Sequence, residues 1–197
     1  DLGKSEYKGQ LSVDKFDVGK FYKVTNVGEL TMNGSIKGSG LSVDDALVSL
    51  DAHVDEFLVN AYQYKDISIS GKIAKEYFDG NLIVQDDNIS LKFYGSIDVS
   101  KEIPDYYFDA RLEEANLKAL NLSLKDREEK LRFHLKTSLS GSNIDNINGL
   151  VTLDDVCFKA DNDSVLMKEL QFYAASKNDF HDLSIRSDFA EIGRAHV

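Results

Sequence analysis

The chain has 197 residues, 42% of them hydrophobic, a net charge of −11 at pH 7 and one cysteine, Cys157. That composition supports a folded core rather than a disordered chain, and its acidity argues against nucleic acid and against docking on anionic lipid through basic patches. A lone cysteine excludes an internal disulfide, and the longest apolar run, residues 172–175, is too short for a transmembrane helix or a signal-peptide core.

In chain order, "DVGKFYK" (17–23) predicts a short helix capped by Asp17. Next, Leu30, Met32, Gly34 and Ile36 alternate with Glu29, Thr31, Asn33 and Ser35, the two-residue period of a half-buried strand. The same alternation recurs over 48–54, 67–73, 78–84 and 91–99. Residues 109–131 are ambiguous: "ARLEEANLKAL" has good helix formers, yet Phe108, Ala110 and Leu112 continue the alternation. We expect a strand to about Glu113, one helical turn over 116–120 and a polar hairpin tip at "KDREEK" (125–130). Strands follow at 131–135, 151–153 and 170–174, with "KGSG", "QDDN", "GSNIDN" and "KNDFHD" as breaks. The chain reads as all-β, with one or two short helical turns and one dry face.

Four glycines fall on that dry face: Gly34, Gly71, Gly80 and Gly95 each lie between apolar neighbours two residues away. Mid-strand glycine marks a bend or a close approach, and on a concave side it lets a sheet coil. An elongated, curved, antiparallel-rich sheet is the expectation, although glycines also relieve crowding in an ordinary sandwich. A valine at Gly71 or Gly95 is then expected to fill the hollow at modest cost to stability. Residues 35–51 align without a gap on 138–154, sharing Ser35/Ser138, Gly38/Gly141, Leu50/Leu153 and Asp51/Asp154 among others. That suggests a quasi-repeating architecture, though two β-turn-β segments also resemble one another without repetition.

No catalytic or metal motif stands out. His53, His134 and His181 are not within ligand spacing of one another or of Cys157, and they read as strand and loop histidines. Cys157 reads as a small buried apolar residue. The acid pairs Asp44/Asp45, Asp86/Asp87 and Asp154/Asp155 read as solvated turn or strand-edge residues. "DNDSVLMKELQF" (161–172) lacks the glycine and the glutamate of a calcium loop. The chain is expected not to be an enzyme, and no cofactor is expected. Asp1 is not an initiator methionine, so the chain reads as an internal piece of a longer protein. One reverse translation of "IGRAHV" resembles a sequencing-library adapter. We therefore expect 1–191 to be a single segment and 192–197 a non-native tail.

Five stretches, "YKGQLSVDKFDVGKFY" (7–22), "GSGLSVDDALVSLDAHVDEFLVNAYQYKDISISGKI" (38–73), "YFDGNLIVQDDNISLKFYGSIDVS" (77–100), "ANLKALNLS" (115–123) and "NIDNINGLVTLDDV" (143–156), resemble the TamB (translocation and assembly module) family of the AsmA-like superfamily. The resemblance covers about residues 7–190 and carries no site motif. It implies a β-taco, a sheet folded lengthwise into an open apolar groove, in a periplasm-spanning protein of Gram-negative bacteria anchored in the inner membrane. The implied function is carriage of phospholipid between inner and outer membranes in support of outer-membrane biogenesis. The implied partner is an outer-membrane β-barrel of the barrel-insertase type. On this reading Leu50, Val54, Ile69, Ile73, Leu82, Leu91, Phe93 and Ile97, which share one face by alternation, line the groove and contact phospholipid acyl chains. Two other classes fit the same residues: an assembly or chaperone factor for outer-membrane proteins, and a structural or adhesin β-solenoid with a filled interior.

Overall fold

The computed structural model describes residues 5–40, 42, 44–143, 145–177, 180–188 and 191–196. Twelve strands form one antiparallel sheet, in the order in which they occur along the chain. They are β1 (Glu6–Asp17), β2 (Val27–Ser39), β3 (Leu47–Val59), β4 (Tyr62–Ala74), β5 (Tyr77–Asp86) and β6 (Ile89–Asp98), then β7 (Asp105–Asn116), β8 (Glu129–Ser140), β9 (Asn148–Ala160), β10 (Asp163–Lys177), β11 (Phe180–Ser187) and β12 (Glu191–His196). Among the described residues no second sheet or long helix covers either face. The fold is all-β, as the alternation predicts, and the sheet is open and curved.

One short helix, α1 (Val18–Tyr22), joins β1 to β2. Asp17 caps it as expected, its Oδ1 accepting from the Lys20 N–H at 2.8 Å. Lys23, in the left-handed region, ends it.

Antiparallel register places directly opposed residues on the same face, so the apolar positions stack into rungs across the strands. One rung runs Met32, Val54, Ile67, Val84, Leu91 and Leu112. The next runs Ala52, Ile69, Leu82, Phe93, Ala110 and Leu135. The third runs Leu50, Gly71, Gly80, Gly95 and Phe108, and the fourth Val48, Ile73, Phe78, Ile97 and Tyr106. Ser70, Asn81, Tyr94, Asp109 and Lys136 form a rung on the opposite, wet face.

Three of the four glycines therefore stand side by side in adjacent strands. An ideal Cβ on Gly71 would lie 2.7 Å from Gly80 Cα, one on Gly80 2.6 Å from Gly71 Cα, and one on Gly95 2.6 Å from Phe108 Cα. On the neighbouring rung an ideal Cβ on Gly34 would lie 2.5 Å from Ala52 Cβ, whereas opposed Cβ atoms in a regular sheet are about 4.5–5.5 Å apart. Side-chain positions on the apolar face thus converge, and the sheet bends toward that face. Gly95 also has φ +136, a conformation L side chains rarely adopt. Phe78 and Phe93 start on opposite sides of the glycine rung, yet their ring centroids are 5.8 Å apart. The rings meet above the bare backbone and cover it, with Phe108 5.1 Å beyond Phe93.

A second line of bends crosses the strands near the first rung. Pairing slips between Val13 and Phe16 on β1, between Leu112 and Ala115 on β7, and on β9 opposite Arg132 and His134. Lys15 and Asp155 sit in two of these slips with positive φ. Bulges of this kind bend a strand and sharpen its twist, so these strands bend a second time near the level of the first rung.

The two aligned segments fall in hairpins β2–β3 and β8–β9, whose turns are built alike. Gly40 N–H donates to Ser5 O at 3.1 Å and Gly141 N–H to Pro104 O at 3.0 Å. Asp45 and Asn146 then close the two turns by accepting from the Ser42 and Ser142 N–H groups. Gly40 and Gly141 occupy matching places, so the ungapped alignment, which matches Gly38 to Gly141, is displaced by one pleat. Leu41 and Ile144 of that alignment lie outside the described residues. β7 runs to Asn116, past the expected end at Glu113, because its bulge restores the pairing of Ala115 with Leu131. One helical turn follows, closed by Leu120 N–H to Asn116 O at 3.0 Å.

The structure corrects the expected cost of filling the glycine rung. A Cβ at Gly71 or Gly95 meets neighbouring backbone rather than open space, so Gly71→Val and Gly95→Val should each destabilise by about 3 kcal/mol, the range for overpacking with backbone strain. Gly9 has nothing within 4 Å of its Cβ position, and Gly9→Ala should be neutral or slightly stabilising. Urea midpoints decide it. Equal midpoints for Gly71→Val and Gly9→Ala would remove the close approach as the reason for glycine.

Candidate functional site

All eight residues expected to line a groove lie on the apolar face. Leu50, Ile69, Leu82 and Leu91 pack against a buried cluster of Met32, Ala52, Val54, Ile67 and Val84. Phe93 belongs to the aromatic stack, and Ile73 and Ile97 flank Phe78 in the fourth rung. Val54 is buried and the others are half-buried. Half-burial follows from the architecture: each side chain is covered by neighbours in its own layer and by no opposing layer. The resulting surface is a continuous aliphatic and aromatic trough, suited to a hydrocarbon ligand and offering few polar atoms for recognition.

Sequence alternation missed how one rim of this trough is closed. Residues 117–128, between β7 and β8, turn back over the apolar face as a strap. Leu120 is fully buried, packed with Leu112 and Ala115 among Tyr62, Tyr64, Leu117, Leu131 and Phe133. Asn121 Nδ2 donates to Asn60 O at 3.0 Å, tying the strap to the β3–β4 turn. Glu129 holds the other end: its carboxylate accepts from Ser123 Oγ at 2.5 Å and Arg127 Nε at 2.9 Å, with Lys125 Nζ at 3.8 Å. Those hydrogen bonds, Ser123 first, hold its carboxyl below the usual glutamate range despite burial. Lys118 and Asp126 add an exposed pair at 2.6 Å, which hydrogen bonding holds below the usual range at Asp126.

Below the strap, Tyr62 O–H donates to Asp86 Oδ1, and Asn88 Nδ2 donates to the Tyr62 oxygen at 3.0 Å. Asp86 also accepts from the Lys65 and Asn88 N–H groups. Burial first, then the Asp86 hydrogen bond, pushes the Tyr62 phenol up. Asp86 is therefore a structural acceptor, not merely a solvated turn residue. At the other rim, Ser100 and Lys101 hydrogen bonds keep Asp98 below the carboxylate range.

The remaining chemistry-bearing residues face away from the trough. His53 Nε2 lies 3.7 Å from Asp55 and 3.8 Å from Asp66. His134 lies 2.7 Å from Asp109 and 3.3 Å from Arg111. The His181 side chain lies outside the described residues. Cys157 is buried, as expected, opposite Arg132 and Leu166. Among the described residues no group of three or more His, Cys, Asp or Glu could hold a metal ion, and no helix is long and apolar enough to cross a membrane. Compared with family models, curated proteins and solved structures, the chain gives no match.

The Glu129 latch gives a pH prediction. Its folded pKa is lowered, so its contribution is present above the ordinary glutamate value and is lost as pH falls through the folded one. Protection of the Leu117 and Leu122 amides, corrected for intrinsic exchange, should drop on acidification before that of β5 and β6. Glu129→Gln should weaken it already at neutral pH and leave only the smaller step from Asp126. Strap amides that track the β5–β6 amides at every pH in both proteins would show that the carboxylate latches nothing.

Proposed function

We propose that this chain is a segment of a phospholipid carrier that shields acyl chains in the trough, in a periplasm-spanning, inner-membrane-anchored protein of the TamB type. The observation that carries the proposal is a continuous apolar face that no second layer covers. Exposing hydrocarbon costs about 0.8 kcal/mol per CH₂, roughly 13 kcal/mol for a sixteen-carbon tail. A trough of half-buried side chains removes most of that cost for any tail, whatever its head group. Strands of about ten residues span about 33 Å, enough to cross a groove and form both walls. Lipid delivered along such a path would support outer-membrane biogenesis, with a barrel-insertase-type β-barrel as the receiving partner.

A photo-crosslinker at position 93 in the full-length protein in cells tests this. Lipid adducts are expected at 93 and not at 94, because Tyr94 points to the wet face and is 43% exposed there. Phe93→Asp should fold with lowered stability, since the half-buried site lets a carboxylate stay hydrated, and should lose transport because a charge interrupts the apolar path. Adducts at neither position, or an Asp variant that transports normally, would overturn the carrier reading.

A further inference from the structure

The strap is the longest of the strand-to-strand connections, at the length where a loop without secondary structure becomes uncommon in a compact domain. Its hold on the sheet is uneven. Leu120 is fully buried and Leu117 half-buried, whereas Leu122 is 54% exposed and Leu124 stands wholly in solvent. The exposed Lys118–Asp126 pair contributes little. Leu120, the half-buried Leu117 and the hydrogen bond from Asn121 to Asn60 O hold the body of the strap over the sheet, while Leu117 N–H to Glu129 O, Asp161 N–H to Glu128 O and the Glu129 latch act at its β8 end.

Beneath it lies a surface that matches the trough. Tyr64 and Leu91 pack both against the buried cluster under the open trough and against the cluster containing Leu120. The covered patch is therefore continuous with the open one, and the strap fills it with aliphatic side chains. An aliphatic tail entering there would exchange one hydrocarbon contact for another and release the leucines to solvent or to the tail itself.

We propose that residues 117–128 are a displaceable lid over a second acyl-chain site, walled by Tyr64, Leu112, Ala115 and Leu131, which a phospholipid tail occupies when the strap swings out. This deepens the carrier reading and rests on it. In this arrangement the trough changes its capacity at one rim: closed, it ends at the strap; open, it takes a tail as far as Tyr62 and the β3–β4 turn.

Photo-crosslinkers at positions 64 and 93, each in the wild-type and the Glu129→Gln background, are exposed to vesicles of phosphatidylethanolamine and phosphatidylglycerol. Hydrogen exchange of the wild-type strap amides is followed with and without the same vesicles. Adducts at 64 that rise several-fold in Glu129→Gln while those at 93 stay constant, with loss of Leu120 and Leu122 amide protection on lipid addition, are the expected result. Adducts at 93 with none at 64 in either background, and strap protection unchanged by lipid, would make the strap a fixed wall and overturn this inference alone. Adducts at neither position would overturn the carrier reading and this inference with it. Should Glu129→Gln fail to fold, the wild-type exchange measurement decides, since an unresponsive strap is not displaced by lipid.

Discussion

A β-sheet with one apolar face has to cover that face, and in this chain the covering comes from curvature and side-chain crowding within one layer. The rest of the structure follows from that constraint. Bending toward the dry side brings Cβ positions together, so the innermost rung carries no Cβ at Gly71, Gly80 and Gly95. Bare backbone would then leave hydrogen bonds poorly shielded, and Phe78 and Phe93 lean in from the two flanking rungs to cover it. Bulges bend the strands a second time near the first rung. Neither device suffices alone: glycines permit the bend without fixing its position, and bulges fix a position without making room on the inside of the curve.

The wet face obeys a different rule. Its rungs set opposite charges and amides beside one another, as with Lys130 and Glu114 at 3.0 Å, or Lys136 and Asp154 at 3.5 Å. Exposed pairs of this kind add little stability. They keep the net charge of −11 dispersed over a surface that gains nothing from closing. The asymmetry between faces is what makes the apolar side the candidate site.

Much of this was legible from residue order. Alternation at two-residue period located β2 to β10, and Asp17 located the short helix, because both signals are local; β1 and β12 were not located by it, and the break expected at "KNDFHD" overlaps the start of β11. The eight lining residues share a face for the same reason. Bulges were not legible: Lys15 and Asp155 adopt positive φ there without glycine, and a single inserted residue shifts the parity of everything after it. Nor was the strap. Glu129 sits in "KDREEK", which reads as a solvated hairpin tip, yet it is only 4% exposed and gathers Ser123 and Arg127 around it. Asp86 reads as half of a turn acid pair, and its tie to Tyr62 spans 24 residues. Local pattern reports what a residue does to its own strand, and these residues act between strands far apart in sequence.

The same constraint separates a trough from a filled solenoid. A solenoid closes its interior, so inward residues become fully buried and the stability of the stack depends on their fit. Here Val54 is buried, while Leu50, Ile69, Ile73, Leu82, Leu91, Phe93 and Ile97 stay half-covered. Full burial of a side chain of this kind contributes about 1.5–3 kcal/mol, and half-burial correspondingly less, so the chain forgoes stability along the whole face. An uncovered strip of that length is a liability for a protein that only has to fold, because it invites aggregation. It would be an advantage for a protein whose apolar face had to accept and release hydrocarbon, since each half-covered residue would gain its missing burial only from a bound apolar partner. At one rim the chain supplies that cover itself, with Leu120 fully buried against Leu112 and Ala115.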